Sequence, residues 1–116
     1  MKSLLSNCIS VAEARQLHEN WGNTRGKHIE MNMGKPDGCE FIFSVDELQE
    51  FLDYVRANTQ NHTPGIRVYL GAYGPEKQGK ATVFFAPTLG TTADSENNYD
   101  LRPLNNGLQG VPPRFY

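Results

Sequence analysis

The sequence has few cysteines and no long hydrophobic run, and each shortage excludes a class of protein. The two cysteines, Cys8 and Cys39, are too few for a disulfide framework, so we expect free thiols in a reducing compartment. No apolar run approaches the ~18 residues that span a bilayer. The first ten residues hold only a two-leucine apolar stretch, far short of the ~7–15 apolar residues of a secretion signal. We therefore expect a cytoplasmic protein that makes no membrane contact.

Clusters of basic residues are also missing. The chain has 11 Lys and Arg against 13 Asp and Glu, which gives a formal charge of −2. Nucleic-acid binding needs clustered cations to neutralise phosphates, so we expect no nucleic-acid partner. The length of 116 residues, with 38% hydrophobic and 21% charged residues, is typical of one globular domain.

Motifs of catalysis and metal binding are absent or incomplete. The three histidines, His18, His28 and His62, lie far apart, and the sequence contains no Cys-x-x-Cys and no G-x-S-x-G. Asp94-x-Glu96-x-Asn98 starts like a calcium loop, but the sixth position holds tyrosine where that loop requires glycine. We expect no metal and no cofactor, and these absences favour a protein that is not an enzyme.

The stretch GPEKQGKAT, from Gly74 to Thr82, comes close to a phosphate-binding loop. Such a loop needs Ser or Thr after the lysine to bind magnesium, and a helix that begins there. Ala81 occupies the Ser/Thr position, and the residues that follow are β-rich and end at Pro87. The stretch therefore predicts a hairpin loop and no nucleotide site.

Two helices are predicted from capping boxes and apolar periodicity. Ser10 and Glu13 begin the first, which we expect to end at Trp21 with Gly22 just beyond it. Ser44 begins the second, whose apolar stripe is Val45, Leu48, Phe51, Leu52 and Val55.

Four strands are predicted from alternating hydrophobicity. Residues 28–33 and 39–43 flank the turn sequence GKPDG and predict one hairpin. Residues 66–73 and 80–87 predict another, with Tyr73 opposite Lys80. The order α-β-β-α-β-β predicts an α+β two-layer sandwich, in which a mainly antiparallel four-stranded sheet has two helices on one face. The face that we expect the helices to cover carries Ile66, Val68, Leu70, Ala72, Ala81, Val83 and Phe85.

We expect residues 1–88 to form this domain, followed by an irregular C-terminal segment over residues 89–116. The segment lacks periodicity, so it is either disordered or wraps the domain. Scattered apolar residues favour wrapping, and turn-forming residues at 105–107, 110 and 112–113 would let the segment cross the strands. The apolar residues are Leu101, Leu104, Leu108, Val111, Phe115 and Tyr116.

The candidate binding site is the outer face of the second hairpin, which carries Arg67, Tyr69, Tyr73 and Phe84. Tyrosine offers a large contact area with a polar tip, and arginine adds directional hydrogen bonds. Three occupants fit this face: the C-terminal segment, a second copy in a homodimer, or a ligand or protein partner. We interpret the chain as a non-enzymatic interaction or binding module. The alternative is a small enzyme or a binder of anionic small molecules, with a pocket between this face and the C-terminal segment.

Three segments resemble a family of small uncharacterised bacterial proteins. Their shared core reads S-x-E-E-L-x-x-F-L-x-Y, G-I-R-x-Y-x-G-x-Y and T-V-F-x-x-P-T. The matching segments here are residues 44–54, where Asp46 replaces the first Glu, residues 65–73 and residues 82–88. The resemblance covers roughly residues 10–90 and implies the α+β architecture without implying an activity.

Overall fold

The computed structural model describes residues 6–105, 108–109 and 115–116. Its secondary structure is α+β, as predicted, and no helix in the described ranges is long and apolar enough to cross a membrane. The predicted turns at 106–107, 110 and 112–113, and Val111, lie outside the described residues. In chain order the elements are α1 (Val11–Trp21), a π-helical turn (Gly22–Gly26), α2 (Lys27–Met33), β1 (Phe41–Ile42), α3 (Val45–Ala57), β2 (Gly65–Ala72), a 3-10 turn (Pro75–Lys77), β3 (Ala81–Thr88) and β4 (Leu108–Gln109).

The hairpin of β2 and β3 is the largest sheet element and has the predicted register. The strands pair antiparallel from Gly65 opposite Thr88 to Ala72 opposite Ala81. The Tyr73 N–H donates to the Lys80 carbonyl at 2.9 Å, which continues the ladder towards the loop. A 3-10 turn and two residues of positive φ, Gln78 and Gly79, close the hairpin. The prediction of a hairpin loop at 74–79 is confirmed.

Helix α3 also follows its prediction, because its signals are local. The Ser44 Oγ accepts from the Glu47 N–H at 2.9 Å and caps the N-terminus. Phe51 and Val55, from the predicted apolar stripe, are buried. Phe43, just before the cap, packs edge-on against Phe85 with ring centroids 4.9 Å apart, which joins the start of α3 to β3.

The prediction of a strand over residues 28–33 was wrong, because this stretch is helical. Gly22 has a helical φ of −62°, so α1 continues through the π-helical turn into α2, and the helical backbone ends at Gly34, whose φ is +77°. Ile29 and Met33 are half-buried while Met31 is 71% exposed, a spacing of four residues that belongs to a helix. Over six residues, alternation does not distinguish a strand from one side of a helix, and Met, Glu and Lys favour the helix.

The single four-stranded sheet is not confirmed. The described residues form two separate two-stranded ladders, one from β1 with β4 and one from β2 with β3. The expected cover of helices over one hairpin face was also wrong, since Val68 is 56% exposed and Leu70 is 87% exposed. No described side chain of α1, the π-helical turn or α2 is buried. The radius of gyration of 16.4 Å exceeds the about 13 Å of a compact chain of this length. We call α1, the π-helical turn and α2 together the helical arm.

Candidate functional site

The predicted aromatic face exists, and its centre is a stacked pair of rings. Tyr69 and Phe84 lie opposite each other in the β2–β3 register. Their centroids are 5.0 Å apart and their planes differ by 16°. Because side chains alternate along a strand, Arg67 and Tyr73 project from the same side of β2 as Tyr69. The pair therefore forms an aromatic stack with a polar residue at either end.

The C-terminal segment runs beside this face, along the edge of β3 that β2 leaves open. Phe85 and Leu104 exchange two backbone hydrogen bonds, of 2.9 and 3.0 Å. Nearer the end of β3, the Asn98 N–H donates to the Pro87 carbonyl at 2.9 Å. These contacts hold Asn98 and Leu104 against the outer edge of β3.

Arg67 fastens the beginning of this segment. Its Nη1 donates to the Asn97 Oδ1 at 2.6 Å, and its Nη2 donates to the Ala93 and Ser95 carbonyls at 3.0 and 2.9 Å. A planar guanidinium can serve several acceptors at fixed angles, which an ammonium cannot do as well. Arg67 therefore binds the turn at 93–97 and does not point into open space as an anion clamp would.

Asn97 connects this arginine to the aromatic pair. Its Nδ2 donates to the Tyr69 hydroxyl at 2.9 Å while its Oδ1 accepts from Arg67. The turn before it is held by its own side chains, since the Thr92 hydroxyl donates to an Asp94 carboxylate oxygen at 2.7 Å. That hydrogen bond lowers the pKa of Asp94. Both the oxygen and the nitrogen of the Asn97 side-chain amide are therefore held by hydrogen bonds.

Tyr73 fastens the other end of the segment. Its hydroxyl donates to the Asn105 Oδ1 at 3.1 Å, and the Asn105 Nδ2 donates to the hydroxyl of buried Thr82 at 3.1 Å and to the Val83 carbonyl at 2.8 Å. The Lys77 Nζ lies 4.4 Å from the centre of the Tyr73 ring, a cation–π distance. Arg67 and Tyr73 are thus attachment points, and the Tyr69–Phe84 pair lies between them.

A cleft of about 290 Å³ lies between the aromatic pair and the C-terminal segment, and we call it the tail cleft. Tyr99 is 88% exposed and belongs to its wall. None of the described residues that line the cleft carries a formal charge. The floor is Tyr69, Phe84, Ala86 and Pro87, and the wall is Asn97, Asn98, Tyr99, Leu101 and Pro103.

A second cavity, of about 400 Å³, lies beside Arg67 and has a different character. Its lining comes from residues 65–67, 88 and 90–93, which are mainly glycine, threonine and alanine, and contains no aromatic ring. The apolar floor and convergent amides of the tail cleft are the features typical of small-molecule sites, so the tail cleft is the stronger candidate.

Of the predicted site residues, Tyr69 and Phe84 line the tail cleft, while Arg67 and Tyr73 hold the segment that forms its wall. The wall residues were not predicted, because nothing in an aperiodic polar stretch marks Asn97 or Tyr99 as facing a strand. The pattern of apolar residues did include Leu101 and Leu104.

None of the described His, Cys, Asp or Glu side chains lines the tail cleft. Within the described ranges, no three His, Cys, Asp or Glu side chains come together as a metal site would require. Both cysteines are free thiols. Burial raises the pKa of the Cys39 thiol, and the neighbouring Glu40 carboxylate raises it further. A raised pKa makes this thiol a poor nucleophile at neutral pH.

The geometry of the site thus describes a preformed, uncharged, aromatic-floored cleft closed on one side by the chain's own C-terminal segment. We compared the chain with protein-family models, with curated proteins and with solved structures, and no match was found.

Proposed function

We propose that the protein is a non-enzymatic binding protein that holds a small, planar, uncharged molecule in the tail cleft. One observation carries the proposal: the stacked Tyr69 and Phe84 rings form the floor of an apolar cleft of about 290 Å³. Aromatic floors favour flat ligands, because offset stacking contributes about 0.5–1.5 kcal/mol beyond the burial of area. A volume near the low end of the usual range of about 300–1,000 Å³ suits a ligand of one or two fused rings.

The same contacts favour an uncharged ligand over an anion. Arg67 already donates to Asn97 and to two carbonyls of the turn. The described residues of the lining contribute hydroxyl, amide and backbone polar groups and no charged side chain. A charged ligand would lose its hydration with no opposite charge to replace it, which is unfavourable.

Nuclear magnetic resonance titration with three simple probes tests the proposal. Indole is flat and uncharged, benzoate is flat and anionic, and cyclohexanol is uncharged but not flat. We expect indole to shift the backbone amide signals of Phe84, Asn98 and Leu101 with saturation, and the other two probes to do so much less. The proposal is wrong if indole moves none of these signals at millimolar concentration.

Two variants locate the binding. Phe84→Leu removes half of the aromatic floor, and Tyr99→Ala removes a wall residue that is 88% exposed and so does not support the fold. We expect each to weaken indole binding at least about twofold, the factor that corresponds to the lower end of a stacking contribution of about 0.5–1.5 kcal/mol. Phe115→Ala, an exposed aromatic that does not line the cleft, is the matched control and should leave binding unchanged.

Membership of the small bacterial family with the G-I-R-x-Y-x-G-x-Y pattern and a cytoplasmic location are also proposals. Support for the location comes from two free cysteines, which suit a reducing compartment. A homodimer through the Tyr69 face receives less support, because the C-terminal segment occupies both ends of that face.

A further inference from the structure

The outer edge of β2 is unpaired along its whole length in the described part of the chain. The Tyr73 N–H points to β3, so by alternation the odd-numbered residues of β2 bond to β3 and the even-numbered ones point away. Among the described residues, β3 is the one strand that pairs with β2. The N–H and C=O groups of Ile66, Val68, Leu70 and Ala72 therefore form a free row of donors and acceptors.

The same residues carry an exposed apolar face. The side chain of Leu70 is 87% exposed and that of Val68 is 56% exposed, on the side of the hairpin opposite the tail cleft. β3 differs, because its outer edge is paired with Leu104 and Asn98. Residues of the C-terminal segment thus pair with the outer edge of β3. Among the described residues, none pairs with the outer edge of β2, where the side chains of Val68 and Leu70 are also exposed.

The sequence of β2 contains none of the usual devices that prevent edge pairing. Edge strands are commonly protected by lysine, proline, a bulge or short length. β2 is eight residues long, reads GIRVYLGA and pairs with β3 without a bulge. Its one charge, Arg67, projects to the other face and bonds to the C-terminal segment.

We propose that β2 pairs antiparallel with β2 of a second copy of this chain. Placing Tyr69 opposite Tyr69 of the second copy sets Val68 opposite Leu70 and Ile66 opposite Ala72, and this register pairs all four outward-facing residues. Arg67 then lies opposite Gly71, so like charges do not meet across the pair. The two hairpins together form one four-stranded antiparallel sheet, and Val68 and Leu70 of both copies pack side by side.

This dimer does not rest on the ligand proposal, since it forms through the outer edge of β2, whereas the tail cleft is lined mainly by β3 and the C-terminal segment. Pairing through one strand buries less than the ~800 Å² per partner of a standard interface. We therefore expect a dissociation constant on the order of micromolar, with monomer and dimer both populated.

Sedimentation velocity over low micromolar to millimolar protein concentration tests the dimer. We expect the wild type to shift from monomer to dimer across this range. Leu70→Lys places a charge on the edge at a side chain already exposed in the monomer, and should weaken association at least tenfold. Val45→Lys makes the same change at an 80% exposed position of α3 and should associate like the wild type.

Hydrogen exchange identifies the surface that pairs. The Val68 and Leu70 amides point outward, so they should exchange fast at low concentration and at least tenfold more slowly where the dimer dominates. The Tyr69 amide bonds to β3 and should be protected at both concentrations. A monomer at millimolar concentration overturns the proposal, and so does a dimer that survives Leu70→Lys or leaves the Val68 and Leu70 amides exchanging fast.

Discussion

Arg67 and Asn97, thirty residues apart in sequence, meet in a hydrogen bond of 2.6 Å. This contact joins the beginning of β2 to the turn near the start of the C-terminal segment. Asn97 passes the connection on to the Tyr69 hydroxyl, so one amide links the charge that anchors the segment with the aromatic floor of the tail cleft.

Replacing Arg67 by methionine should destabilise the protein by about 1–3 kcal/mol, because three hydrogen bonds to a charged donor are lost and two carbonyls lose a partner. Urea unfolding followed by circular dichroism measures the change. Arg67→Lys should recover only part of the loss, since an ammonium cannot reproduce the planar fork. Arg56→Met, at an exposed position of α3, is the matched control, and an equal loss there would contradict the role given to Arg67.

Alanine at Gly65 should destabilise the fold by about 1–3 kcal/mol through overpacking. A β-carbon there would lie 2.7 Å from the Thr88 Oγ1 and 2.8 Å from the Gly90 carbonyl oxygen, and the carbonyl belongs to the backbone. At Gly71, in the same strand, the nearest atom is a Thr82 methyl at 3.6 Å, an ordinary contact. Gly71→Ala should therefore leave the melting temperature nearly unchanged, and equal effects of the two substitutions would contradict the close approach at Gly65.

Alanine at Gly22 should increase helicity and stabilise the helical arm by about 0.5–1 kcal/mol, because Gly22 has helical dihedrals and open space around it. Alanine at Gly34 should have the opposite effect, of about 1 kcal/mol, because Gly34 has a φ of +77°. Far-ultraviolet circular dichroism, together with amide exchange over residues 18–33, measures the helicity of the two variants. Loss of helicity in Gly22→Ala would mean that the first helix ends at Trp21, as the sequence predicts.

The thiol of Cys39 should alkylate slowly at pH 8. Burial and the Glu40 carboxylate raise its pKa above the ordinary value of 9.0, so the reactive thiolate is scarce at pH 8 and its rate should keep rising beyond pH 9.0. Glu40→Gln removes the negative charge and should speed alkylation severalfold at pH 8. Iodoacetamide kinetics on Cys8→Ser protein, with peptide mass spectrometry, isolate the Cys39 rate. A rate that levels off below pH 9.0 would contradict this environment.

The elements predicted correctly are those whose signals are local. Ser44 and the apolar stripe behind it determine α3 within fourteen residues, and alternation with a glycine-rich turn determines the β2–β3 register.

The wall of the cleft could not be predicted, for a physical reason. Two of the three acceptors of Arg67 are backbone carbonyls, which every residue possesses, so no side chain in residues 93–95 reveals the contact. The helix over 27–33 was missed because short alternation fits either structure. Alternation along β2 predicts Val68 and Leu70 under the helices, but the helices do not cover these two side chains.

The residues of the cleft floor precede those of the cleft wall in the chain, and this order has a consequence for protein synthesis. The floor, on β2 and β3, leaves the ribosome before the wall, on residues 97–103. At about 5–20 residues per second, residues 89–105 follow the hairpin after an interval on the order of one to a few seconds. During that interval the nascent hairpin has two open edges and an uncovered aromatic pair. Slow docking of residues 97–104 onto β3 should therefore increase the fraction of newly made chain that aggregates.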